Sequence, residues 1–138
     1  MASYNKFYDF VDQLGRGKHD FSSHTIKVYL SNSTPSASYA TKSELAEITP
    51  QNGYPSGGSS ITATWSETSG TATLGGTDVQ WTASGGSFGP FRYVVMYNDS
   101  QTSPADPLIA WWDYGSSITV QNGESFTVDF GSSIFTLA

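Results

Sequence analysis

The sequence predicts a mainly β protein: an antiparallel β-sandwich or jelly-roll-like barrel of about eight strands, with an N-terminal helix. Three observations predict it. Short alternating or apolar segments recur through residues 61–137, separated by Gly, Ser and Asn turns. Aromatic residues reach 14% and charged residues only 13%, a mix that suits pleated, half-buried surfaces better than helices. There is no βαβ rhythm and no repeat at 20–50 residues, so antiparallel sheets are the expected packing.

The first segment reads as a helix. Ser3 is placed to cap it, and Phe7, Phe10, Val11 and Leu14 recur at helical spacing. Gly15 and Gly17 stop it. In Thr25–Ser31, Ile26, Val28 and Leu30 alternate with Lys27 and Tyr29, as in a half-buried strand. Thr41-Lys42-Ser43-Glu44 is a capping-box pattern, which predicts a short helix over Lys42–Ile48 ended by Pro50. A Gly- and Pro-rich loop, Gln51–Ser60, leads into the β region.

There, Ile61, Ala63 and Trp65 share one face of a strand, and Val79, Trp81 and Ala83 one face of another. Gly75-Gly76 and Gly85-Gly86 read as turn glycines. Phe91–Tyr97 and Leu108–Tyr114 are apolar on both faces, interrupted only by Arg92 and Asp113. Asn122-Gly123 is the strongest local signal. It predicts a type I′ hairpin joining Ile118–Gln121 to Glu124–Phe130. Within the second arm Phe126, Val128 and Phe130 point one way, and Ile134–Leu137 closes the sheet.

The 138 residues suffice for one domain that buries somewhat over ~60% of its unfolded surface. It divides into an N-terminal part, 1–47, and a β body, 48–138. There are no cysteines, so disulfides, thiolate metal sites and a Cys nucleophile are excluded. Their lack favours assembly in a reducing cell. Met1–Asp12 carries no signal-type apolar run, and no stretch approaches the ~18 apolar residues of a membrane span.

The net charge of −6 is unevenly placed. Residues 1–47 balance Lys6, Arg16, Lys18, Lys27 and Lys42 against five acids. Residues 48–138 hold seven acids against Arg92 alone. Such a body repels phosphate, which argues against a nucleic-acid partner.

Chemical motifs are weak. His19 and His24 flank Asp20 but lack metal-ligand spacing, and read as solvated loop residues. There is no G-x-S-x-G elbow for a serine hydrolase. Asp106 and Asp113 have no clustering that favours glycosidase work. The loop Asp99–Asp106 lacks calcium-loop spacing. No catalytic residue, cofactor or metal ligand is expected.

The sharper signal is the apolar excess. In a strand, Trp111 and Trp112 must point to opposite faces. Either a helix or loop covers the second face, or a subunit does. The candidate interface residues are Tyr93, Met96, Tyr97, Trp111 and Trp112, with Phe7 and Phe10 of the helix. An exposed glycan-binding platform is the rival use of such rings.

The chain resembles the small structural proteins encoded among virion genes of tailed bacteriophages. The resemblance is carried by Tyr4-Asn5-Lys6-Phe7, by Asn52-Gly53-Tyr54 with Gly57-Gly58, and by Gly89–Asp99. It continues through Asp106–Gly115 and Gly123–Val128, so it covers essentially the whole chain. It implies a capsid decoration, or cement, protein. Such a protein binds the outer surface of the major capsid protein shell and associates with itself as a small symmetric dimer or trimer. It is made in the host cytoplasm and carried on the virion. A tail or fibre component binding host-surface glycans is the alternative. The family implies no catalytic residues.

Overall fold

A computed structural model describes residues 2–138. The N-terminus departs from the helix expected after Ser3. Residues Tyr4–Lys6 form strand β1, and helix α1 runs over Tyr8–Gly15. Phe7, in extended conformation, is the N-cap and makes no side-chain cap bond. Tertiary pairing overrides local propensity here, because an isolated helix this short is marginal. β1 gains a ladder instead, with Tyr4 opposite Trp112 and Lys6 opposite Ala110.

Strand β2 spans Ile26–Ser31. It is buried on both faces rather than one: Tyr29 is as inaccessible as Val28 and Leu30. The capping box at Thr41 forms, but the helix beyond it does not. Lys42–Glu44 make a single 3₁₀ turn, after which the chain extends and the Ile48 amide bonds the Leu30 carbonyl at 3.0 Å.

The β body contributes β3 (Ser59–Ser60), β4 (Ala63–Thr68), β5 (Thr71–Gly76), β6 (Val79–Thr82), β7 (Phe88–Asn98), β8 (Leu108–Val120), β9 (Ser125–Val128) and β10 (Phe135–Leu137). These pair as three antiparallel sheets, in the orders β1-β8-β7-β2-β3, β10-β5-β4 and β6-β9. The expected antiparallel, sandwich-like class is what is found.

Two local expectations need correction. Gly75 and Gly76 are not a turn but the end of β5, opposite Thr64 and Ala63. A Cβ on Gly76 would lie 2.8 Å from Ile61 Cδ1, so close packing explains the glycine. Asn122-Gly123 does turn the chain, but only Gly123 has positive φ, which rules out type I′. The strands it joins do not pair with each other. β8 pairs with β7, and β9 pairs with β6, so this turn carries the chain from one sheet to another. The primed hairpin lies at Ser69-Gly70 instead, with φ of 52° and 86°, joining β4 to β5.

The five-stranded sheet is covered on both sides. One face meets the two smaller sheets in a large core that includes Val28, Leu30, Leu74, Trp81, Phe91, Val94, Trp112 and Val128. Phe10 of α1 and Phe21 of the following turn close its end. The opposite face carries a second core of Phe7, Tyr29, Leu45, Tyr93, Val95, Tyr97 and Leu108, over which the 39–45 segment lies. The chain itself therefore supplies the second cover, as loop and N-cap residue.

Glu47 anchors that cover. Its carboxylate accepts bonds from the Tyr54 hydroxyl at 2.7 Å and the Gly57 amide at 2.8 Å, and pairs with Lys42 at 3.3 Å. Lys42 Nζ in turn stands 4.8 Å from the centre of the Tyr29 ring. The tyrosines complete the network: Tyr29 donates to the Leu45 carbonyl, Tyr97 to that of Gly57. Gly58 brings the loop against β2 so closely that a Cβ would fall 1.8 Å from the Val28 carbonyl oxygen.

Candidate functional site

The residues expected to form an interface are distributed between the two cores. Phe7, Tyr93 and Tyr97 are buried in the second core; Phe10, Met96 and Trp112 are buried in the first. Trp111 alone is half-buried, packed against Phe7 with ring centres 4.7 Å apart. The opposite-face rule for Trp111 and Trp112 holds, but both faces are satisfied within one chain. Six of the seven side chains thus have no surface to offer a partner.

The surface offers different residues. Tyr8, Val11 and Leu137 are the exposed large hydrophobic side chains among the described residues, at 70%, 52% and 48% exposure. Tyr8 and Val11 stand three residues apart on α1, hence side by side on one helical face. Phe10 and Leu14 take the inward face, so the four-residue stripe expected of the helix is split. Phe7, as the extended N-cap, lies in the second core instead of on the helical stripe, and Val11 faces outward. The Tyr8 amide bonds the Ala37 carbonyl at 2.9 Å, fixing the start of the helix against the 34–41 loop. The same outer face ends in an exposed ion pair, Asp12–Arg16 at 2.8 Å. Such a pair contributes little to stability.

The histidines are not solvated loop residues. His19 is buried, His24 is partly buried, and the Nδ1 atoms of both meet the side-chain amide of Asn98. Burial, with a smaller contribution from His24, pushes the His19 imidazole down to about 4. Asp20 accepts bonds from the Ser22 and Ser23 hydroxyls, which pull its carboxyl down to about 2. Spacing alone gives no sign that residue 98 lies between the two rings. Only the pairing of β2 with β7, which sets Ile26 opposite Asn98, brings them together.

Arg92 and Asp113 form a two-pronged cross-strand pair at 2.8 and 3.1 Å. Arg92, and secondarily the Gly115 amide, hold the Asp113 carboxyl below the usual carboxylate range. Asp106, largely through burial and then through Asp99, is pushed up. No group of three or more His, Asp or Glu side chains among the described residues is placed to hold a metal ion. A cleft of about 120 Å³ between Tyr4, Trp112, Tyr114 and Phe130 has room for a few waters. None of the four tryptophans is exposed.

The fold and surface define a small β-sandwich-like protein with a closed interior and one apolar spot on its helix. No helix among the described residues is long and apolar enough to cross a membrane. Comparison with protein-family models, with curated proteins and with solved structures finds no match.

Proposed function

We propose that this chain is a structural protein of a tailed-phage virion, a decoration protein that binds the outer surface of the capsid shell and stiffens it. The observation that carries the reading is the Tyr8–Val11 pair. It places exposed apolar area on the charge-balanced N-terminal part, residues 1–47, while the acidic β body is sealed on both faces of its central sheet. A contact built on apolar area with little net charge suits docking onto a shell of many identical subunits. The acidic body is compatible with an exterior position, away from packaged nucleic acid. The resemblance of Gly89–Asp99 and Asp106–Gly115 to virion proteins supports the same reading.

In this proposal the N-terminal part faces the major capsid protein and the β body makes contacts between copies, as a dimer or trimer. Leu137 on β10 and the open edge of β4, which ends its sheet, are available for such contacts. The glycan-binding alternative is less well supported, because an indole platform needs exposed tryptophan and these are committed to the cores. Cryo-electron microscopy of purified particles tests the proposal. Density for residues 2–47 against the shell supports it, and that segment facing solvent refutes it. Native mass of the free protein tests the self-association.

A further inference from the structure

The buried cluster of His19, His24 and Asn98 has a feature that packing does not explain. Two backbone amides fix its hydrogen-bond directions. The Ser100 amide donates to Asn98 Oδ1 at 2.9 Å, so Asn98 Nδ2 must be the atom that faces the histidines. It lies 3.1 Å from His19 Nδ1 and 3.0 Å from His24 Nδ1. The Asp20 amide also donates to His24 Nδ1, at 3.1 Å. An amide nitrogen has two protons and no lone pair to share, so both Nδ1 atoms must be acceptors. Both rings are then neutral, with their protons on Nε2. For His19 this leaves a buried Nε2 with no hydrogen-bond partner among the described residues. A buried unsatisfied donor in a native fold calls for an explanation.

We propose that this cluster is a proton-sensitive latch. Protonating either imidazole unfastens the Lys18–His24 turn from the end of β7, while the sheets stay folded. A proton added at Nδ1 points at the Asn98 amide protons. Rotating the amide does not solve the conflict, because it strips the Ser100 amide of its acceptor. At His24 the Asp20 backbone donor cannot rotate away at all.

The turn has few other fastenings of this kind. The Asp99 amide bonds the Thr25 carbonyl, and the Thr25 amide bonds the Ser100 hydroxyl. The groups facing the cluster are well defined. From α1 comes the Phe10 ring, 5.2 Å from His19; from the turn come Phe21, stacked at 5.9 Å, and the Lys18 carbonyl. Asp20 is engaged by Ser22 and Ser23, and on the β2–β7 side Asp99 is paired with Lys27 at 3.1 Å. No carboxylate bonds either imidazole, so a charged ring there has no hydrogen-bonded counter-ion. Opening the turn lifts Phe21 from the core and exposes apolar surface.

The inference is independent of the virion reading and is tested on the free chain. Amide hydrogen exchange is followed from pH 7.5 to 4, corrected for intrinsic rates, together with nitrogen chemical shifts of both imidazoles. The expected result is a local opening of residues 18–25 and the Ser100 amide. Its equilibrium constant rises by at least about tenfold per pH unit below the ordinary histidine range, the slope of one linked proton, and by up to about a hundredfold where both freed rings take a proton. Amides of Val95 and Trp111 stay protected. Both rings show the Nε2–H form at pH 7.5. The double variant His19→Gln/His24→Gln removes the pH dependence. Three results overturn the proposal: a turn as protected at pH 4 as at 7.5, simultaneous loss of the turn and the β7–β8 amides, or an Nδ1–H tautomer in either ring. The last is read on the wild-type protein and stands even if the double variant does not fold.

Discussion

Trp111 and Trp112 are covalent neighbours in β8, yet their indoles lie in two different cores on opposite faces of the five-stranded sheet. Trp112 sits opposite Val94 and beside Tyr4, and packs edge-on against Phe130 with ring centres 5.6 Å apart. Trp111 sits opposite Val95 and against Phe7. The two should therefore respond differently to truncation. Trp112→Ala is expected to cost about 3–5 kcal/mol, and the half-buried Trp111→Ala roughly 1–3 kcal/mol. Urea denaturation of both variants measures the difference; equal losses would contradict the two-core arrangement.

Gly58 and Gly123 both have positive φ, at 73° and 88° respectively; what separates them is space. A Cβ at Gly58 collides with the Val28 carbonyl, whereas at Gly123 nothing lies within 4 Å. Gly123→Ala should cost about 1 kcal/mol, the backbone term alone. Gly58→Ala should cost several-fold more, or prevent folding, because backbone must move. Denaturation midpoints and soluble yield decide this.

Glu47 holds the cover of the second core by three contacts. Glu47→Ala leaves the Tyr54 hydroxyl, the Gly57 amide and Lys42 without their shared acceptor. The expected loss is about 2–3 kcal/mol. Glu47→Gln, which keeps an acceptor oxygen, should lose less. Denaturant titration of both variants checks the order.

The fold also sets an alkaline limit. Burial pushes the Tyr4 phenol up to about 12 and raises Tyr29, Tyr54 and Tyr97 as well. These groups stay protonated in the folded chain after they ionise in the unfolded one. Their contribution is fully present below about pH 10 and is lost as pH rises through 10 towards 12 and beyond. Ultraviolet titration should show these phenols ionising together with unfolding, not before it.

Ser69 occupies the first left-handed position of the β4–β5 turn, with φ of 52°. Asn tolerates that conformation better than Ser. Ser69→Asn should stabilise the protein by roughly 0.5 kcal/mol, read as a small rise in melting temperature.

Period-two patterns carried much of this fold. The inward faces of Val79-Trp81-Ala83 and Phe126-Val128-Phe130 were legible because alternation directly encodes burial on one side. The two-sided runs in β7 and β8 were legible as needing two covers, but not as to what supplies them. That depended on the 39–45 segment, whose polar composition hides Leu45 and Tyr39 among Ser, Thr and Lys. The N-terminal strand was missed because Tyr4–Lys6 has too few residues for a period and pairs with a strand over a hundred positions away. The Asn-Gly signal was strong, yet it encodes a turn and not a partner. As for the candidate site, spacing marked the aromatic residues but not their depth, and the exposed Tyr8–Val11 pair went unseen because Phe7 caps the helix from the second core instead of joining its inward stripe.

β1 lies near the start of the chain, and its partner β8 ends at Val120. Lys27 in β2 likewise waits for Tyr97 in β7. During synthesis, then, the ribosome must release the residues through Val120 before the central sheet has its strands. Until that moment Phe7 lacks Trp111 and Tyr29 lacks Tyr97, although Phe10 already has Phe21 and Tyr29 already has Leu45 to pack against. The adjacent β4–β5 hairpin is the part that can close as soon as it emerges.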